Sequence, residues 1–172
     1  MLPEEIKKLI GTSGSIRMYE VEKGPIRRFA EAVDDPNPLY QDEKYVGKSR
    51  YGSIIAPPGF FGWPIKQARG SALAIDIPPE LVSALEQAGY PKSAVLDGGM
   101  EWEFYLPVRA GDTLSATTTI RNLRSRTTDT GSVIFSFLET TYHNQTGALV
   151  ATQQAMYIHQ SGTPLQKEPT DA

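Results

Sequence analysis

The sequence predicts an α+β fold in which a helix packs on one face of an antiparallel sheet. Apolar residues recur at helical spacing in the first half of the chain and alternate with polar residues after Val95. Helices followed by a run of strands are typical of this class. With 172 residues, of which 40% are hydrophobic, we expect one domain over 1–160 and a polar, disordered tail over 161–172.

Helical periodicity marks three segments, and a short strand is predicted at 16–21 between the first and the second. Proline favours the first position of a helix and glycine the position after its end, which limits two of these segments. The apolar faces consist of Leu2, Ile6, Leu9 and Ile10, of Ile26, Phe29, Ala30 and Val33, and of Leu81, Leu85 and Ala88. A further helix, led by an extended segment from Tyr51, is expected to continue through Ile65 and Ala68 to Gly70.

Period-two alternation predicts four strands in the second half of the chain, with turns at 109–112, 128–131 and 143–147. Met100 and Trp102 alternate with glutamates in the first strand, and the fourth is expected from about Ala148 to His159. The third, 133–142, is apolar on both faces, as a central strand would be. Short turns between consecutive strands predict an antiparallel meander.

The composition excludes several kinds of site. The chain has no cysteine, which excludes disulfides and thiolate chemistry, and its two histidines leave little for a metal site. It contains no Walker-type loop, no G-x-G-x-x-G and no G-x-S-x-G. A net charge of −3 with both signs interspersed gives no footprint for nucleic acid. We therefore expect no cofactor, metal, nucleic acid or membrane partner, and an N-terminus without signal character predicts a cytoplasmic protein.

The loop after the second helix reads Asp35-Pro36-Asn37-Pro38-Leu39-Tyr40-Gln41-Asp42. It resembles the D-x-N-P-L/I-H-x-D signature of the MaoC-like, or type 2 (R-specific) enoyl-CoA hydratase, family. Segment 51–60 resembles the lead into that family's central helix, and segment 96–112 resembles the sheet entry of its N-terminal-type dehydratase domains. The resemblance covers roughly residues 5–160 in the right order. It implies a hot-dog fold, in which an antiparallel sheet wraps around a central helix.

The resemblance also implies an activity, the reversible addition of water to trans-2-enoyl thioesters of CoA or an acyl carrier. Hydration requires a base for the water, an acid for C2 and donors for the thioester oxygen. Carried over position by position, the catalytic candidates are Asp35, Asn37 and Tyr40, and the substrate-binding candidates are Pro58, Gly59 and Phe60. The family usually pairs with a second hot-dog unit, which implies a homodimer or a heterodimer with a catalytic MaoC-like chain.

Tyr40 stands where the family has a histidine. A tyrosine with a pKa of about 10 donates a hydrogen bond at neutral pH but accepts a proton poorly, unlike a histidine at about 6.5. Three hypotheses follow. The favoured one is a non-catalytic, acyl-binding subunit of a hydratase or dehydratase, and the others are a hydratase that uses Asp35 with Tyr40 and a hot-dog thioesterase.

Simpler roles are also expected for several of these residues. Asp35, Asn37 and Asp42 are of the type that satisfies loop backbone, and Phe60 more often belongs to a core than to a substrate contact. Solvated surface or turn positions are expected for Lys44, Lys48, Arg50, His143 and His159. The three basic residues have an alternative role, as contacts for CoA phosphates at the mouth of an acyl tunnel.

Overall fold

The computed structural model describes residues 2–60, 77–128 and 131–162. The helices in these ranges are α1 (Glu4–Lys7), α2 (Lys23–Ala32), α3 (Glu43–Val46) and α4 (Pro79–Gln87), with 3-10 turns at Pro38–Tyr40 and Lys92–Ala94. The strands are β1 (Arg17–Glu20), β2 (Val95–Phe104), β3 (Thr113–Thr128), β4 (Gly131–His143) and β5 (Leu149–Gln160). The predicted α+β class is confirmed. The helix predicted through Ile65 and Ala68 and most of the predicted tail lie outside the described residues.

The five strands form one antiparallel sheet in the order β1-β3-β4-β5-β2. Strand β4 pairs with both β3 and β5, which confirms its predicted central position. The prediction of a four-strand meander is wrong for β2, because β5 pairs with it along nearly its whole length and leaves it at the edge. The chain after β2 therefore crosses the end of the sheet to reach β3. The predicted turn at 109–112 lies within this crossover and closes no hairpin.

Helix α2 directs the chain that follows it. This helix has ten residues. No helix in the described ranges is long and apolar enough to cross a membrane. Ile26 and Ala30, one turn apart, are fully buried, whereas Val33 lies beyond the last helical residue and is 53% exposed. Asp34 then adopts a left-handed conformation with φ +54°, and the Asp35 N–H donates to the Ala30 carbonyl at 2.9 Å. This closure gives the next loop a defined starting direction.

Among the described residues, the core consists of two clusters of buried side chains. One cluster, which includes Ile26 and Tyr142, packs α2 and the chain up to residue 60 against the sheet. The other, which includes Leu81 and Leu138, packs α1 and α4 against it. Alternate residues of β4 are buried, so one face of the sheet carries both clusters.

The prediction of a surface position for His159 is wrong. Its side chain is 2% exposed because it falls on the buried face of β5, and its Nε2 lies 2.8 Å from Ser136 Oγ. Burial lowers the pKa of His159 from its usual 6.5 to about 4, so its imidazole is neutral at physiological pH. His143, the last residue of β4, is half-buried.

Candidate active site

The loop Asp35–Asp42, here called the motif loop, is held by its own polar side chains. Asp35 Oδ1 accepts the Asn37 N–H at 3.1 Å, and Asn37 Oδ1 accepts the Leu39 N–H at 3.1 Å. Asp42 caps α3 by accepting two N–H groups of its first turn. Short polar side chains that bond the backbone two or three residues later stabilise such turns. The simpler roles predicted for Asp35, Asn37 and Asp42 are therefore confirmed.

Asp35 also keeps an oxygen that the loop does not use. The side chain is half-buried, and Oδ2 receives no hydrogen bond from the described residues. Gln41 Nε2 donates to the backbone carbonyl of Asp35 at 3.1 Å, which leaves the carboxylate untouched. Because an ionised carboxylate accepts hydrogen bonds only, Oδ2 can receive a donor such as water.

Tyr40 ends the 3-10 turn with its side chain in the core. It is 7% exposed and packs in the same cluster as Ile54 and Val108. Burial raises the pKa of Tyr40 above its usual value of 10, and the Asp35 carboxylate raises this pKa further. A hydrogen bond with the Asn37 side chain acts in the opposite direction. Tyr40 is therefore a neutral phenol at physiological pH, able to donate a hydrogen bond but poorly able to take a proton from water.

A short extended segment connects the motif loop to the crossover after β2. Ile55 forms an antiparallel bridge with Arg109, and the Ala56 N–H donates to the Val108 carbonyl at 2.8 Å. On the other side, the Ile55 N–H donates to the Leu39 carbonyl at 3.2 Å. The motif loop, this segment and the crossover therefore meet at one place.

Gly59 permits the tight turn that follows this segment. Its φ of +86° favours glycine, and the Phe60 N–H donates to the Pro57 carbonyl at 3.1 Å. Phe60 is 2% exposed, and its ring meets the edge of Phe29 with centroids 6.0 Å apart. Phe60 is thus a core residue, as the simpler reading expected. Substrate contacts by Pro58, Gly59 and Phe60 stay predictions.

A cleft of about 550 Å³ opens where these stretches meet. Tyr40 and Pro58 line it, and most of the remaining wall is apolar, from Leu39, Tyr51, Ile55, Ala56 and the crossover 104–109. The other predicted site residues are absent from its described lining: Asp35, Asn37, Gly59 and Phe60. The volume is in the range of small-molecule sites. The cleft can accept an apolar group beside Tyr40.

The crossover is the part of this site that the sequence did not indicate. Phe104, Leu106 and Arg109 line the cleft, although their positions predicted a strand end and a turn. Arg50 lines it as well, and its side chain is exposed, as expected for a solvated position; contacts with CoA phosphates stay a prediction. The available signal was Pro107, which ends the alternating stretch three residues after Phe104 and indicates a change of direction.

Known proteins with similar sequences point to one family. The chain matches the family described as "FAS1-like, dehydratase domain region" over residues 8–153. A UPF0336 protein of Thermobifida fusca is 33% identical over 85% of this chain and 87% of its own length. One from Streptomyces avermitilis is 38% identical over 62% of this chain, and the match spans 65% of that protein. A probable enoyl-CoA hydratase alpha subunit of Thermomonospora curvata is 29% identical over 75% of this chain and 41% of its own length.

Solved structures share the fold at low sequence identity. The ChsH1-ChsH2 complex from Mycobacterium tuberculosis matches with a TM-score of 0.75, 18% identity, and 93% of this chain and 96% of that one covered. The HadBC (3R-hydroxyacyl-ACP dehydratase) complex from the same organism matches with a TM-score of 0.62 and 18% identity, and the match covers 87% of this chain and 96% of that one. An (R)-hydratase from A. caviae matches with a TM-score of 0.58 and 22% identity, and the match covers 86% of this chain and 94% of that one. These likenesses concern the fold alone, and they confirm the predicted hot-dog fold.

Proposed function

Because the chain belongs to the FAS1-like dehydratase domain region family of MaoC-like hot-dog proteins, we propose that it is the acyl-binding subunit of a hydratase or dehydratase. The complete enzyme adds water reversibly to trans-2-enoyl thioesters and releases it from (R)-3-hydroxyacyl thioesters. A partner MaoC-like chain, with both the aspartate and the histidine of the signature, transfers the protons. The observation that carries the proposal is Tyr40, a buried neutral phenol at the position of the histidine.

The chemistry of Tyr40 and the shape of the cleft support this division of labour. Addition of water needs a group that accepts a proton near neutral pH, and a phenol whose pKa is raised by burial does not. The apolar wall beside Tyr40 suits an acyl chain instead. The phenolic hydroxyl can still donate a hydrogen bond to a thioester carbonyl or to a water molecule.

One observation favours a second candidate, a hydratase active in this chain alone. Asp35 Oδ2 receives no hydrogen bond from the described residues, and the Asp35 carboxylate adds to the rise in the pKa of Tyr40 that burial causes. In this candidate Asp35 takes the proton from water while Tyr40 orients it. Exchange of Asp35 for asparagine tests this, because the amide oxygen can keep the bond to the Asn37 N–H.

The edge of the sheet supports a partner subunit. Within the part of the chain that the structure describes, strand β2 pairs on one side only, with β5, and it exposes Met100 at 39% and Phe104 at 43%. Tyr105 and Leu106, directly after the strand, are 46% and 43% exposed. An edge strand with apolar side chains is suited to pairing with another strand. Two of the solved structures that share this fold are complexes, ChsH1-ChsH2 and HadBC.

Charge favours a partner with a different sequence at this edge. Glu101 and Glu103 are both exposed and point to the same side of β2. A two-fold pairing of two copies centred on Trp102 would set Glu101 of each copy opposite Glu103 of the other. Centring on either glutamate would set that residue opposite itself. Because like charges directly opposite one another destabilise strand pairing, a partner with basic residues fits better than a second copy.

Enzyme assays with the purified chain test the proposal. Hydration of several trans-2-enoyl-CoA esters and release of free thiol are followed together, for the chain alone and for the chain with its co-purified subunit. We expect neither reaction from the chain alone and hydration from the pair.

Three outcomes contradict the proposal. Hydration by the chain alone that Asp35→Asn abolishes and Asp34→Asn preserves would establish the second candidate. Release of thiol by the chain alone would establish a thioesterase. Hydration by the chain alone that Asp35→Asn leaves unchanged would refute every catalytic assignment made for the motif loop.

A further inference from the structure

Two arginines stand at the rim of the apolar cleft. Arg50 and Arg109 both line it, and both side chains are exposed. Within residues 2–60, 77–128 and 131–162, neither guanidinium lies in an ion pair with a carboxylate. Other cations at the surface do have such partners, for example Arg27 with Glu43 at 3.1 Å. Two uncompensated positive charges beside one cleft favour an anionic ligand.

Tyr51 orients both guanidinium groups. Arg50 Nη2 donates to the Tyr51 hydroxyl at 2.6 Å, and its guanidinium carbon lies 4.8 Å from the centre of the Tyr51 ring. From the other side, Arg109 Nε donates to the Tyr51 carbonyl at 3.2 Å. The two Nη groups of Arg109 have no acceptor among the described residues. A guanidinium held through Nε with its Nη groups free can bind a phosphate with directed hydrogen bonds.

We propose that Arg50 and Arg109 bind the phosphate of a phosphorylated pantetheine arm while the apolar wall holds the thioester end. This inference rests on the proposed function and adds the position and the residues of the anion site. The cleft has both parts that such a ligand needs, since a basic rim adjoins an apolar wall that reaches Tyr40. Pantetheine itself is uncharged, so the arginines distinguish the phosphorylated arm from the bare one.

Calorimetric titration tests the site with three probes: pantetheine, 4′-phosphopantetheine and CoA. We expect both phosphorylated probes to bind about tenfold more tightly than pantetheine, with a preference that decreases as salt is added. Arg50→Gln and Arg109→Gln should each remove most of this preference. Arg109→Lys keeps the positive charge but loses the planar guanidinium. Its preference for the phosphorylated probes should therefore lie between that of the wild type and that of Arg109→Gln. The matched control is Arg126→Gln, an exposed arginine at the far end of β3, and it should bind like the wild type.

Equal affinity for pantetheine and phosphopantetheine would overturn the anion site, and so would an equal loss in the Arg126→Gln control. Titration with a holo-acyl carrier protein identifies the source of the arm. Tighter binding of CoA than of the carrier assigns the arm to CoA, the reverse assigns it to the carrier, and either result supports the site.

The anion site and the proposed function can fail separately. Hydration of a trans-2-enoyl-pantetheine by the complete enzyme, with the KM of the CoA ester and no effect of either arginine substitution, refutes the anion site alone. Phosphate-dependent binding without any hydration of enoyl thioesters by the complete enzyme refutes the function alone.

Discussion

In the motif loop, Asp35 and Asn37 hold the backbone, whereas Tyr40 lines the cleft. The backbone bonds of Asp35 and Asn37 need only an oxygen that accepts, and neither bond involves the side chain at position 40. The loop can therefore keep its shape whether position 40 carries an imidazole or a phenol. Because the two groups differ in their ability to accept a proton, this one position decides what the loop can do chemically.

Tyr40→His should give the isolated chain a hydration activity that the wild type lacks. An imidazole near Asp35 can accept a proton at neutral pH, and a general base contributes about 10²-fold or more to such reactions. The measurement is the initial rate with a trans-2-enoyl-CoA, with Tyr40→Phe as the matched control that adds no base. A wild-type rate that Tyr40→Phe abolishes would instead make Tyr40 part of an active site.

His159 should make the folded protein sensitive to mild acid. The unfolded chain binds a proton at His159 near pH 6.5, whereas the folded chain does so only near pH 4, because the residue is buried. This contribution to stability is present above pH 6.5 and is lost as the pH falls towards 4, by about 3 kcal/mol at most. Urea unfolding at pH 7.5 and pH 4.5 measures it. His159→Gln should reduce the difference between the two conditions, and His143→Gln should leave it unchanged.

At the scale of elements, sequence patterns predicted those helices and strands that depend on residues close together in the chain. The spacing of Ile26 and Ala30 predicted α2, and the alternation in 133–142 predicted a central strand. The edge position of β2 depends on pairing with β5, some fifty residues away, and no local pattern encodes it. The surface position predicted for His159 is wrong for a related reason, because only the register of β5 determines which face of the sheet this residue occupies.

The same distinction between local patterns and long-range pairing holds for the candidate site. Tyr40 and Pro58 could be predicted as parts of the site because their segments carry the resemblance, whereas the other predicted residues do not line the cleft. The contributions of Arg109 and Phe104 could not, because the crossover reaches the cleft only through the order of the strands. A site built from separate stretches of the chain is visible in sequence only where one of them has a distinctive motif.

The turn before Phe60 gives a prediction about a single element. Gly59→Ala should destabilise the fold by about 1 to 2 kcal/mol, because a side chain disfavours a φ of +86°. The added Cβ would lie 3.8 Å from Phe29, an ordinary contact, so the cost belongs to the backbone alone. Gly24→Ala, within α2, is the control and should be neutral or slightly stabilising. Urea unfolding of both variants checks this, and equal effects would refute it.

At the scale of the whole molecule, the sheet ends in β2, a strand with apolar residues on one face and two glutamates on the other. Glu101→Gln with Glu103→Gln should strengthen self-association about fivefold, because two like-charge pairs are removed from a symmetric pairing. Sedimentation velocity over a range of concentrations measures this, and Glu86→Gln on α4 is the exposed control. A wild-type chain that forms a stable homodimer at low concentration would contradict the preference for a different partner.

The central claim is that this chain holds the acyl thioester while a partner transfers the protons. The most direct test is the rate of trans-2-enoyl-CoA hydration by the complete hetero-oligomer with one aspartate exchanged at a time. Asp35→Asn in this chain should leave the rate within a factor of two of the wild type, and the equivalent exchange in the partner should abolish it. Loss of hydration on Asp35→Asn, with the partner's aspartate dispensable, would place the chemistry in this chain and contradict the account.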